Sequence, residues 1–106
     1  PRVEDARQRI VDCRNLLAQK QYESGHLYHR QGHLDAAKIT YEEVLRNYPD
    51  TDWYWTTLFR MGEIARAQDD VDLAVRYWKE VLQNSEDEEL IKDVQKHLSN
   101  LDESAG

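Results

Sequence analysis

GHLYHRQGHLDAAKITYEEV (residues 25–44) and GEIARAQDDVDLAVRYWKEV (residues 62–81) share one pattern at a spacing of 37 positions. Gly25, Ala37, Tyr41 and Val44 return in the same order as Gly62, Ala74, Trp78 and Val81. A period of this length belongs to helical-hairpin repeats. Such a unit buries its apolar face against its neighbours and presents an extended surface, so the pattern points to a protein-binding scaffold rather than a catalytic cleft.

Helical spacing extends on both sides of this stretch. Val3, Ala6, Ile10, Cys13, Leu17, Tyr22, Leu27 and Tyr28 recur at intervals of a helix, predicting one long helix, or two nearly collinear ones, up to about Arg30. Gly32 supplies a turn. A second helix reads from Leu34 to Asn47 with Ala37, Tyr41, Val44 and Leu45 on one face. Pro49 ends it, because proline cannot continue the hydrogen-bond ladder. Asp50, Thr51 and Asp52 offer caps for a third helix, about 53–67, whose inward face is Leu58, Met61, Ile64 and Ala65. Asp69 and Asp70 start a fourth, about 71–83. Ser85-Glu86-Asp87-Glu88 reads as a capping box before Leu90, Ile91, Val94, Leu98 and Leu101. The carboxylates of Glu86 to Glu89 suit the positive end of a helix dipole. A frayed tail is expected after Leu101. The fold class is thus all-α, with five helices, and the last one closes the second repeat.

The chain has 106 residues, one cysteine and a formal net charge of −7. That charge argues against nucleic acid, whose binding needs a basic stripe. More than half of the Arg and Lys fall in residues 1–48, while residues 85–103 are acid-rich. No apolar run is long enough to span a membrane, and no signal peptide is read at the start. The chain opens on Pro1 without an initiator Met, as a piece of a longer protein or a mature product would. Cys13, mid-helix, is expected in the core as a small hydrophobe.

Residues 18–51 resemble a tetratricopeptide repeat. With Pro49 at that motif's proline, Gly25, Tyr28, Ala37 and Tyr41 fall on its glycine, tyrosine, alanine and aromatic positions. Gly25 and Ala37 would bring two antiparallel helices close, with Tyr28 and Tyr41 filling the space between. The second unit, about 55–86, keeps Leu58, Gly62, Ala74 and Trp78, with Ala65 in place of the tyrosine and Glu86 in place of the proline. Its period exceeds the standard one by about three residues, assigned to Asp52–Tyr54. The resemblance implies a single α–α superhelical domain over residues 1–106, with a closing helix at 86–101.

A narrower resemblance rests on Ala6, Arg7, Ile10, Cys13, Arg14, Leu17, Ala18 and Tyr22, on Tyr28-His29-Arg30-Gln31-Gly32, and on Tyr48-Pro49-Asp50-Thr51. These are similar to the C-terminal repeats of the BamD/YfiO family of outer-membrane assembly lipoproteins. The resemblance implies a periplasmic scaffold of five repeats, held at the outer membrane by a lipidated cysteine. It also implies docking of a POTRA domain of the barrel subunit BamA. Cys13 is not that cysteine. The regions carrying the lipid anchor and the N-terminal repeats are not in this sequence. The expected partner surface is Arg30, His33, Thr40, Glu43 and Asn47, with Trp53 as an aromatic anchor. Trp53, Tyr54 and Trp55 spread over about 200° of a helix, so one face cannot hide all three. Trp53 is expected to be the more exposed Trp, since Trp55 lies nearer the Leu58 face.

The alternative is a generic tetratricopeptide adaptor that grips an extended peptide with Tyr22, His26, His29, Arg30, Phe59, Glu63 and Arg66. Such clamps favour clustered cations for a terminal carboxylate, and here Arg30 and Arg66 are mixed with Glu63. His26, His29 and His33 make an incomplete metal-ligand set. Neither a phosphate loop nor a nucleophile signature occurs. No enzyme, metal or cofactor is expected.

Overall fold

The computed structural model describes residues 2–105, with side chains to Asp102. They form five α-helices and no strand: α1 (Arg2–Arg30), α2 (Leu34–Asn47), α3 (Trp53–Ala67), α4 (Val71–Asn84) and α5 (Glu88–Ala105). The chain divides into two compact units between Thr57 and Leu58. α1, α2 and the first turn of α3 belong to one; the rest of α3, α4 and α5 belong to the other. This is the all-α, tetratricopeptide-type arrangement that the 37-residue period predicts. No helix among the described residues is long and apolar enough to cross a membrane.

All eight residues of the repeat pattern are buried. In the first unit, Gly25 on α1 faces the Tyr41 ring on α2, and a Cβ there would sit 2.6 Å from Tyr41 Cδ1. In the second, Gly62 on α3 faces the Trp78 ring on α4, where a Cβ would sit 2.7 Å from Trp78 Cδ1. Each glycine therefore makes room for one aromatic ring of the partner helix. Ala37 and Ala74 are fully buried as well. Leu58, Met61, Ile64 and Ala65 form the inward face expected of α3.

The two hairpin turns repeat the same hydrogen bonds. The His33 amide donates to the Tyr28 carbonyl at 2.9 Å, and the Asp70 amide to the Ala65 carbonyl at 2.8 Å. Each turn passes through a left-handed residue, Gly32 with φ 81° and Asp69 with φ 64°. These two are again 37 positions apart (32 to 69). Asp70 then caps α4, its Oδ1 accepting from the Leu73 amide at 3.2 Å.

Several expectations fail. Cys13 is exposed rather than in the core, and Val3, Ile10 and Leu17 are exposed with it. The reason is length. α2 ends at Asn47, level with Arg14, so no helix of the first unit lies beside the earlier turns of α1. Tyr28 is also exposed; Tyr22, one turn from Gly25, fills the space expected of it. α5 starts two residues later than the capping box implies and continues past Leu101 to Ala105. Its cap is Asp87, whose Oδ1 accepts from the Glu89 amide at 3.1 Å and the Leu90 amide at 3.3 Å. Ser85 instead accepts from the Asp87 amide at 3.2 Å, which shapes the turn before the helix. The expected tail at Gly106 lies outside the described residues.

Candidate functional site

Tyr22, His26 and His29 recur at i, i+4 and i+7 on α1, so their rings share one stripe of the helix. The Tyr22 ring stacks on His26 at a centroid distance of 5.6 Å and on Tyr41 at 5.8 Å. Trp53 closes over Tyr22 at 5.1 Å. His29 meets the Tyr41 ring edge-on, and its Nδ1 lies 3.2 Å from the Tyr41 hydroxyl. The stack ties α1, α2 and the start of α3 together. Tyr22 and Tyr41 are buried, so this part of the expected peptide clamp holds the fold. Only two of the three histidines meet: the His26 and His29 rings lie edge-on at 6.4 Å, His26 also stacking on Tyr22 and His29 bonding Tyr41, while His33 lies exposed beyond the Gly32 turn. No group of three His, Cys, Asp or Glu able to hold a metal occurs among the described residues.

The far end of the first hairpin is closed by Arg14. Its Nε donates to Asp50 Oδ2 at 2.7 Å, and its Nη2 donates to Asp50 Oδ1 and to the Asn47 carbonyl, the latter at 2.8 Å. The guanidinium also lies 5.3 Å from the centre of the Tyr48 ring. Planar, bidentate pairing of this kind is what the guanidinium fork provides. The hydrogen bond from Arg14 holds the Asp50 carboxyl below its ordinary range, and the same bond raises Arg14 above its own. Thr51, buried, donates its hydroxyl to the Tyr48 carbonyl at 2.9 Å. The Tyr-Pro-Asp-Thr sequence is thus a clasp: Pro49 ends α2, Asp50 grips α1 and Thr51 turns the chain. The Asp50 and Thr51 side chains serve the first hairpin, while the Thr51 carbonyl accepts a bond from the Tyr54 amide at the start of α3 at 3.1 Å.

The six expected partner residues do not form one cluster. Arg30 and His33 lie exposed on either side of the Gly32 turn. Thr40 and Glu43 are half-buried midway along α2. The Thr40 hydroxyl donates to the Ala36 carbonyl at 2.8 Å, and Glu43 accepts from Gln21 Nε2 at 2.6 Å. Asn47 is exposed at the opposite end of the hairpin, about 20 Å from the turn at the rise of a helix. Trp53, Tyr54 and Trp55 are all half-buried; Trp53 packs on Tyr22, while Tyr54 and Trp55 meet edge-on at 4.7 Å. Arg30 also ends a shallow depression along α1, lined by Lys20, Glu23, Ser24, His26 and Leu27.

In the second unit a polar cluster escaped the sequence reading. Glu63 accepts from Arg60 at 2.8 Å and faces His97 Nε2 at 3.1 Å. His97 Nδ1 lies 2.8 Å from the Asp93 carbonyl, to which it donates. The His97 ring meets Phe59 at 4.9 Å and Trp78 at 5.2 Å, both edge-on. This seats α5 on α3 and α4. The signal was present: Leu90, Val94, His97 and Leu101 share one helical stripe. Glu63 and the buried Phe59 are therefore committed to internal packing.

A family model described as "YfiO: Outer membrane lipoprotein" matches residues 3–77, well over half of the chain. No curated protein matches it.

Proposed function

This chain belongs to the YfiO family of outer membrane lipoproteins, and from that premise we propose that it is a non-enzymatic docking module of the β-barrel assembly machinery. Its partner is the POTRA region of BamA, and its place is the periplasmic side of the outer membrane. The observation that carries the reading is the family match, which spans α1, α2, α3 and the first half of α4. The helical-hairpin build agrees with it, since repeats of this kind mostly bind partners through extended surfaces.

Within the expected surface, Arg30, His33 and Asn47 are exposed and Trp53 is half-buried. Thr40 and Glu43 contribute less area, because each already serves a bond within the first hairpin. The turn at Arg30 and His33 is the centre of the proposed contact. The peptide-clamp alternative has less support: Tyr22, His29, Phe59 and Glu63 hold the fold together.

The test is a calorimetric titration of the chain with the membrane-proximal POTRA region of its cognate BamA. Binding to the wild-type chain, lost on Arg30→Glu combined with Glu43→Lys, is the expected result. A thermal melt of the double variant separates loss of contact from loss of fold. No binding by the wild-type chain overturns the partner. Binding that survives both reversals overturns the surface.

A further inference from the structure

α5 continues the repeat register beyond residue 77, where the family match ends. Leu90 and Val94 stand 37 positions after Trp53 and Thr57, and His97 stands 37 after Arg60. Leu90 and Val94 are buried, so an apolar stripe seats α5 in the second unit. His97 lies on the same stripe, and its ring meets those of Phe59 and Trp78. The repeat frame thus puts a titratable ring at the position where α3 carries a permanent cation, Arg60.

Both nitrogens of that ring face oxygen acceptors. Nδ1 lies 2.8 Å from the Asp93 carbonyl, and Nε2 lies 3.1 Å from Glu63 Oε2. A carbonyl and a carboxylate only accept, and a neutral imidazole has one N–H. A neutral ring beside an ionised Glu63 therefore leaves one contact in which two lone pairs face each other with no hydrogen between them. The two contacts are complete only when the His97–Glu63 pair holds one proton more. The surrounding charges are already placed. From α3, Arg60 Nη1 donates to the other carboxylate oxygen, Glu63 Oε1, at 2.8 Å. From α4 the ring meets the Trp78 indole, and the charged residues of that helix, Asp72, Arg76, Lys79 and Glu80, are exposed. On α5 itself, Asp93 and Lys96 are exposed as well. The His97 and Glu63 side chains keep only 26 % and 23 % of their surface open, so the pair is largely sheltered from water.

We infer that α5 is a proton-dependent latch on the second hairpin: one proton shared by His97 and Glu63 seats it, and loss of that proton loosens it. The sign follows from the proton count. The docked helix holds a proton that the undocked helix gives up in the ordinary histidine range, about pH 5 to 8. Docking is therefore strongest on the acid side of that range and weakens as the pH rises, by up to about tenfold per pH unit for one proton. Opening bares Leu90 and Val94 together with the rings of Phe59 and Trp78. The latch does not depend on the POTRA reading.

Native-state hydrogen exchange of the α5 amides in the intact chain, with the pH dependence of intrinsic exchange divided out, measures the opening of this helix. From about pH 6 to about pH 8 the opening constant should rise about fivefold or more. Glu63→Gln separates the shared proton from packing. Its amide oxygen can accept from Arg60 while its NH2 donates to the unprotonated Nε2 of a neutral ring. This variant should keep α5 docked and remove the rise. His97→Phe, which keeps the ring contacts, should also give an opening constant that does not change with pH. A wild-type opening constant that stays within about twofold over this range overturns the proposal, whether or not the variants fold. So does a rise that persists in Glu63→Gln.

Discussion

The indole of Trp78 lies over Gly62, sixteen residues before it, and its Nε1 donates to the Phe59 carbonyl at 3.1 Å. Tyr41 lies over Gly25 at the same separation. Each ring occupies the volume that a side chain at the glycine would need. Gly62→Ala and Gly25→Ala should therefore each destabilise the chain by about 1–3 kcal/mol through overpacking. Thermal unfolding measures both. Unchanged melts would mean that the helices part at no cost and that the glycines do not set their approach.

The left-handed turn residues predict changes of opposite sign. A Cβ at Gly32 meets no atom within 4 Å, so Gly32→Ala tests backbone conformation alone and should cost about 1–2 kcal/mol. Asp69 sits in the same conformation with a side chain. Asp69→Gly should stabilise by up to about 1 kcal/mol, because glycine adopts positive φ without steric cost. Denaturant melts of the two variants should bracket the wild type; a loss of stability for Asp69→Gly would show that its side chain is needed at the turn.

The Arg14–Asp50 clasp carries a pH dependence of known sign. The bond from Arg14 lowers the Asp50 carboxyl in the folded chain. Its contribution is therefore complete above the ordinary aspartate value, near 4, and is lost as pH falls through the lower folded value. Arg14 stays charged throughout. Asp50→Asn should lower the melting temperature at neutral pH, and its deficit should shrink as the pH drops below about 4. A deficit that is constant across the acid limb would mean that the pair contributes through packing and not through charge.

The start of α5 separates two capping assignments. If Asp87 is the cap, Asp87→Ala should cost about 1 kcal/mol, whereas Ser85→Ala, which removes only a turn contact, should cost less. Circular dichroism melts of the two variants decide between them. The reverse order would restore the capping box that the sequence suggests.

Helix number, helix type and the register of the two hairpins were legible in the residues alone. Spacing assigns each residue to a face, and Gly25, Ala37, Gly62 and Ala74 mark where helices must come close. Proline and glycine then fix the turns, as Pro49 and Gly32 do. What periodicity cannot say is whether a face is covered. Ile10, Cys13 and Leu17 have the same spacing as a buried stripe, yet they are exposed, because covering them requires a neighbouring helix that reaches that far and α2 turns away at Asn47. The same limit explains the polar residues. Asp50 reads as one of the caps of α3 and Ser85 as the cap of α5, since each offers a side-chain oxygen just before a helix. Asp87 caps α5, while Asp50 is drawn to Arg14, a cation placed beside it only when α1 and α2 pack. His97 meets Glu63 across 34 residues for the same reason. Local chemistry set what each side chain could do, and the packing of helices distant in sequence decided which partner it found.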